Sequence, residues 1–363
     1  MSRGFYIAAV VDAEAKLADF LPMLRAAHWV AVDTEADSLH AYPEKVCLIQ
    51  VSTAAGDRLI DPLAGFPLDS FLEALSGHQL IMHGADYDLR LLRKHHEFVP
   101  SSIFDTMLAA RILGETRFSL SDLVEKHLGV KLEKGAQKAN WALRPLTDRM
   151  EKYARNDTHY LKPLSDRLKQ ELSEKGRLGW HAEYCTRLIV ESTSEPEVDP
   201  DQVWRIKGSH RLSRRALAVL RELWRWRESE AIAANRPPFF VLSHELLVGI
   251  ADAASGDRSI EPLLPRHLSE RRVTGIHRAV EKGLALPPEN QPRIPRTSAR
   301  RPNDAQRRRY LELQKRRDSR AAQLGLDPTL VASRSVLSDL AHDWDQHSRS
   351  LMNWQRALLE KPL

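Results

Sequence analysis

Four carboxylates in this chain have the residue types and the order that metal-assisted phosphodiester chemistry would use. Asp33 and Glu35 stand two apart in WVAVDTEADS, Asp88 lies in LIMHGADYDLRLL, and Asp157 follows Tyr153 by one helical turn in YARNDTHYL. On a strand, residues two apart project to one face, so Asp33 and Glu35 would repel unless a cation lay between them. Carboxylate oxygens are the ligands that hard divalent ions such as Mg2+ and Mn2+ prefer. For that pair alone, a solvent-facing strand end is the plain alternative. Asp37 continues the alternation but is read into the following loop. Asp88 comes just after the apolar run QLIMHGA, at a strand end, where open α/β sheets present functional residues. Asp86 is the expected N-cap of the helix that starts there. On a helix Tyr153 and Asp157 share a face. A phenol with an ordinary pKa of about 10 stays protonated and can orient an attacking water, while divalent cations make that water more acidic. His83 could in principle bind a metal, and His127 and His159 are alternative bases; of these His83 and His159 are read as structural histidines, and Asp105 in SIFDTML as a helix N-cap.

The elements around these residues alternate strand and helix. HWVAVDTEA (28–36), KVCLIQVST (45–53) and DRLID (57–61) read as strands, with gaps of eight and three residues between them. Such gaps are too short for helical crossovers, so an antiparallel meander is expected. Helical spacing follows at 68–75, a buried strand at 79–83, then helices over 86–96, 105–113 and 119–128 and one long helix from about 147 to 175. FYIAAVV near the start reads as an edge strand or lead-in rather than a signal peptide. Together these make an α/β layered domain.

The texture changes near residue 191, where ESTSEPEVDPDQ combines prolines and acids without an apolar period. Beyond it the pattern is helical. Leu217, Leu220 and Trp224 recur at helical spacing, a Pro-Pro break precedes FFVLSHELLVGIA, and a second polar stretch at 287–304 leads to a last helical segment. The expected division is 1–190, a linker 191–209, a helical domain 210–288, a linker 289–302 and a second helical domain 303–363.

The 363 residues carry 54 Lys+Arg against 49 Asp+Glu, a net charge of +5 and a sequence pI near 9.2, compatible with a polyanionic partner. The excess is concentrated. From Arg293 to Arg320 eleven Lys/Arg face three acids, about +8, and Arg307, Arg308, Arg309, Lys315, Arg316 and Arg317 are the candidate phosphate contacts. The alternative for such a run is a solvated helix face. The two cysteines, Cys47 and Cys185, offer neither a disulfide framework nor zinc spacing. No apolar run approaches the length of a membrane span, so a soluble cytoplasmic protein is expected.

These stretches, taken in order, resemble the DEDDy branch of the 3′→5′ exonucleases, ribonuclease D most closely. The matching segments are AVDTEADSLHAYPEKVCLIQVS, IMHGADYDLRLLRK, FDTMLAARILG, FSLSDLVEKHLGVKLEKGAQKANW and RPLTDRMEKYARNDTHYL. The resemblance implies a ribonuclease-H-like fold with a mixed sheet of about five strands, followed by two small all-α HRDC-like modules at 210–288 and 303–363. It also implies that Asp33, Glu35, Asp88 and Asp157 hold two divalent cations, Mg2+ or Mn2+, with Tyr153 as the motif tyrosine. The expected activity is hydrolysis of RNA from a free 3′ end to nucleoside 5′-monophosphates, in maturation of tRNA or other structured precursors. A Ser-Asp-Trp common in the family is Ala139-Asn140-Trp141 here, which touches substrate contacts rather than the metal set. A DNA 3′→5′ exonuclease and a non-catalytic binding protein are the competing readings. No residue visibly reads a 2′-hydroxyl, whereas a degenerate site would have lost an acid. The first domain is expected to carry the chemistry by itself, with the helical modules supplying grip.

Overall fold

Short runs rich in Val, Ile and Leu, separated by turn residues, build one six-stranded sheet. The computed structural model describes residues 9–133, 135–194, 199–293 and 302–360. The strands are β1 (Ala9–Val11), β2 (Val30–Ala36), β3 (Val46–Thr53), β4 (Gly56–Ile60), β5 (Gln79–Met82) and β6 (Ser102–Asp105). Their spatial order is β1-β4-β3-β2-β5-β6. β2, β3 and β4 form the expected antiparallel meander, and β1, β5 and β6 join through parallel pairings. The sheet is therefore mixed, with one strand more than the five or so expected. The lead-in FYIAAVV contributes β1 only from Ala9 onward, its earlier residues lying outside those described.

Helices α1 (Glu14–Arg25), α2 (Asp69–Ser76) and α3 (Asp86–His96) cover one face. There Val30, Val32, Ile49, Val51, Leu80 and Met82 pack against Leu17, Phe20, Leu24, Phe71, Leu75 and Leu89. Each of the larger side chains stabilises the fold by roughly 1.5–3 kcal/mol when fully buried. Next come α4 (Thr106–Leu113), α5 (Leu120–Leu128), α6 (Asp148–His159), α7 (Leu161–Glu174) and α8 (Leu178–Thr193). Against the opposite face, Leu48 and Leu59 meet Met150, Ala154 and Trp141, and Ala31 and Ile81 meet Leu161. The single helix expected over 147–175 is two helices, α6 and α7, broken at Tyr160. Pro163 is the cause, since it has no N–H to give the carbonyl of His159 and its ring crowds that position.

The chain divides into two units. Of the described residues, 37–45 and 199–293 form one, and 9–36, 46–194 and 302–360 form the other. In the smaller unit α9 (Arg214–Ala234), α10 (Pro238–Val241), α11 (His244–Ser255) and α12 (Glu270–Leu284) enclose Leu217, Leu220, Leu247, Ile250, Ile276 and Val280. The last helices are α13 (Asp304–Leu324), α14 (Pro328–Val331), α15 (Arg334–His342), α16 (Trp344–His347) and α17 (Asn353–Glu360). They belong to the larger unit. Leu313, Ala321, Leu337, Leu340 and Trp354 share one apolar cluster with Ile112, Leu113, Leu164, Leu168 and Leu172 of α4 and α7. Trp354 stacks on Trp180 of α8 at 4.9 Å, and Arg177 donates to the carbonyls of Ile112 (2.8 Å) and Leu324 (2.7 Å). Gly114 at φ +93° lies so close to Gly325 that a Cβ would fall 2.1 Å from its carbonyl oxygen. Among the described residues no helix is long and apolar enough to cross a membrane.

Candidate active site

The central strand β2 presents Asp33 and Glu35 on the face that α6 covers, while Val30 and Val32 point into the opposite core. β2 pairs with β3 along its length, but with β5 only at Val30 and Ala31. Beyond that point its edge would be bare, and Asp88 from the first turn of α3 fills the gap. Asp88 Oδ1 accepts from Thr34 N at 3.1 Å and from Thr34 Oγ1 at 2.5 Å. The expected capping role of Asp86 is not realised. Asp86 is the first residue of α3, behind Ala85, and its carboxylate accepts from Arg90 and Ser192. The chain enters the helix early because Ala85 N is already held by Asp105 Oδ2 at 2.8 Å. Asp105 does cap α4, through Leu108 N.

Helix α6 is capped by Thr147 and fastened to the sheet at its far end. Ser52 Oγ bonds both Thr158 Oγ1 and Asp57 Oδ1 at 2.7 Å, and His159 Nδ1 meets Asp57 Oδ2 at 2.9 Å. These ties set the rotation of the helix, which carries Asp157 over β2. Carboxylate oxygens of Asp33, Glu35 and Asp157 all lie within 4.8 Å of one another. Asp88, engaged by Thr34, stands outside that tight set.

Crowding four acids here disfavours their charged forms. Burial, then the neighbouring charges of Asp88, Asp157 and Glu35, holds Asp33 well above the usual carboxylate range. Burial and the charges of Asp157 and Asp88 push Glu35 to about 9, and burial with Asp88 pushes Asp157 to about 8. Burial raises Asp88 to about 6 against the opposing bonds from Thr34. Oxygen-only donors at this spacing, starved of positive charge, suit a hard divalent cation.

Tyr153 has its phenol raised by burial first and then by Asp157, Glu35 and Asp33, so the hydroxyl stays protonated. Its ring is held from two sides. Trp141 packs at 6.1 Å between centroids, and the backbone at Gly135 lies so near that a Cβ there would sit 2.5 Å from Tyr153 Cδ2. Arg144 anchors this covering loop to Asp61 and to the carbonyl of Cys47. Cys47 is the extra residue of a β-bulge, since Glu35 pairs with Leu48 while Ala36 pairs with Val46. Asn140 Oδ1 accepts from Ala142 N inside the same loop. The sequence reading names neither Arg144 nor Gln50. The latter is a polar residue in a wholly buried strand and faces Asp33 across the ladder.

The other candidates fall to structural roles. His83 Nδ1 meets Thr106 Oγ1 at 2.9 Å, His127 lies 3.3 Å from Glu171, and Asp37 is buried in its loop against Lys45. Of the basic cluster, Arg307, Arg308 and Lys315 are exposed on α13, and Arg309, also exposed, donates to the carbonyl of Ala341 at 3.3 Å. Arg316 and Arg317 are corrected as phosphate contacts. Arg316 donates to the carbonyls of Leu359 and Glu360, and the buried Arg317 donates to the carbonyl of Ala332. Both stems lie on the inward side of α13, where free helix-end carbonyls need donors. Arg296, Arg300 and Arg301 of the same run lie outside the described residues.

Comparison with known proteins identifies the family of the chain. The model of a 3′-5′ exonuclease family matches residues 8–173, and that of the HRDC domain matches residues 216–259. Ribonuclease D of Zymomonas mobilis is 32% identical over 303 residues, covering 78% of this chain and 74% of its own. Ribonuclease D of Haemophilus influenzae is 27% identical over 92% of this chain and 86% of its own. The crystal structure of Escherichia coli RNase D superposes with a TM-score of 0.75 over 98% of this chain and all of that one. At 23% identity, that match is a likeness of fold. Given the identity to the Zymomonas enzyme over three quarters of its length, the chain belongs to the ribonuclease D family of 3′→5′ exoribonucleases.

Proposed function

We propose that this protein removes nucleotides from the 3′ end of structured RNA precursors such as tRNA, in the cytoplasm, with Asp33, Glu35, Asp88, Asp157 and Tyr153 as its working residues. The convergence of Asp33, Glu35 and Asp157 within 4.8 Å carries this reading. Asp33, Glu35 and Asp157 would hold one divalent cation, and Asp33 with Asp88 a second, Mg2+ or Mn2+ in either case. Such a pair supplies charge for the attacking and leaving oxygens of an in-line displacement. Tyr153, protonated and braced by Trp141 and Gly135, orients the attacking water toward the scissile phosphate. Thr34 fixes one carboxylate oxygen of Asp88 through its N–H and its hydroxyl. Exposed Arg307, Arg308 and Lys315 are the proposed phosphate contacts, a contribution that weakens steeply with salt. The Escherichia coli neighbour is described as an exoribonuclease involved in structured RNA processing, which supports the choice of substrate.

Digestion of 5′-labelled and 3′-labelled RNA, beside matched DNA strands, in Mg2+, Mn2+ or EDTA tests the whole reading. Release of 5′-monophosphates from the 3′ label first, on RNA and only with a divalent cation, is expected. Equal turnover of DNA would redirect the substrate assignment, and hydrolysis in EDTA would remove the cations from it.

A further inference from the structure

Gln50 is fully buried, and among the described residues neither Nε2 nor Oε1 of its amide has a hydrogen-bond partner. Buried polar groups are nearly always paired, so folding alone gives no reason to keep this one. Its place is specific. On β3, Leu48, Gln50 and Ser52 share the face that carries the active site, opposite Glu35, Asp33 and Ala31. Leu48 is spent in the apolar layer beneath α6, and Ser52 is spent on Thr158 and Asp57. Gln50 is the polar side chain left over, directly across from Asp33. Opposed side chains of an antiparallel pair have Cβ atoms about 4.5–5.5 Å apart, a gap that an amide spans to reach a carboxylate.

We propose that Gln50 is a positioning residue of the active site, whose amide N–H holds the carboxylate of Asp33 when the acids are ionised around divalent cations. An ionised Asp33 whose oxygens are shared with cations needs its remaining lone pairs fixed, and Gln50 is the side-chain donor that the ladder sets against it. Partners of this kind orient metal-binding groups, and their loss typically costs 10–100-fold in affinity or activity. The proposal rests on the reading that these acids hold cations.

The test uses the full chain with Gln50→Leu, and with Gln50→Met as a second, unbranched substitution should leucine pack badly. Unfolding in EDTA is expected no lower than in wild type, because an unpaired buried amide has been replaced by an apolar group. Calorimetric titration with Mn2+ is expected to show affinity weakened about tenfold. Turnover of a short oligoadenylate should fall about tenfold with little change in KM. If both variants bind Mn2+ and turn over as wild type does, the proposal is overturned. It is equally overturned if both unfold well below wild type in EDTA while Mn2+ affinity is retained, since the amide is then structural. A wild-type protein that binds no Mn2+ sinks the underlying cation reading instead.

Discussion

Replacing Arg144 should unlatch the loop that braces Tyr153, and the cost can be worked from its bonds. The guanidinium makes five contacts. Nε and Nη2 grip Asp61 at 2.6 and 2.7 Å, Nη2 also reaches the Cys47 carbonyl at 2.7 Å, and Nη1 bonds the carbonyls of Trp141 and Leu143 at 2.8 Å each. Asp61 is only 4% exposed, so Arg144→Ala leaves a buried carboxylate without its cation. Breaking a buried pair costs about 3–5 kcal/mol. Arg144 itself is about a quarter open to solvent, so the low end, about 3 kcal/mol, is the fitting figure. At about 2–4 °C per kcal/mol for a unit of this size, the melting temperature should fall by about 6–12 °C.

Arg144→Lys separates the latch from the fold. Lysine keeps the charge beside Asp61 but cannot bridge Asp61, Cys47 and Trp141 at once. Turnover should therefore fall while most of the stability remains. Because the latch acts through the phenol, Arg144→Lys should lower kcat in wild type and add little in a Tyr153→Phe background. Scanning calorimetry and single-turnover hydrolysis of labelled RNA provide both readouts. A melt of Arg144→Ala within 2 °C of wild type would refute the energetic argument, and fully additive effects with Tyr153→Phe would refute the link to the tyrosine.

Three further outcomes are expected. Asp33→Asn and Asp157→Asn should each abolish hydrolysis with the fold intact by circular dichroism, and activity within about tenfold of wild type would remove these residues from the cation set. Tyr153→Phe should slow turnover by about 100-fold while leaving Mn2+ affinity unchanged by calorimetry. In EDTA, stability should fall as pH rises from about 4 to about 9: the unfolded chain gives up its carboxyl protons first, while Asp157 and Glu35 keep theirs to about 8 and 9. This decline should be shallower in Asp157→Asn and reversed by Mg2+, so melts of equal slope in the two proteins would contradict the crowding of acids.

The acids were legible because each local pattern needs only neighbours in sequence. Alternation puts Asp33 and Glu35 on one face, a strand end precedes Asp88, and one helical turn joins Tyr153 to Asp157. What stayed hidden depends on distant partners. The engagement of Asp88 by Thr34 spans 54 residues, and that of Arg144 by Asp61 spans 83. Neither leaves a periodic trace. β6 is only four residues long and adjoins a helix, so it merges with the helical pattern of α4. α8 has no single apolar stripe because it serves several partners, with Cys185 in the core beneath the sheet and Trp180 against Trp354. α1 carries Pro22 inside it, which obscures a helix whose buried face is only Leu17, Phe20 and Leu24. Arg317 looks like its charged neighbours in sequence, yet it is buried on the carbonyl of Ala332.

The C-terminal helices share a core with α4, α7 and α8, so their support of the fold is mixed with any grip on substrate. Residues 303–363 read as a detachable module, and a chain ending near Val190 is expected on that basis to keep its activity. In the structure that cut falls inside α8, which ends at Thr193. Loss of the segments beyond it would strip Trp354 from Trp180 and the apolar residues of α13 and α15 from α4 and α7. Leu337 and Leu340 are two of the wholly buried side chains there, and these two by themselves are worth roughly 1.5–3 kcal/mol apiece, against total stabilities of about 5–15 kcal/mol. A truncated chain that failed to bind or cleave RNA would therefore report the loss of a shared core as readily as the loss of substrate contacts. The separable feature is the exposed charge. Arg307, Arg308 and Lys315 extend from the outer side of α13, away from the residues that hold the helix in place. Their replacement leaves that core untouched, so it is through them that grip on phosphate can be told apart from support of the fold.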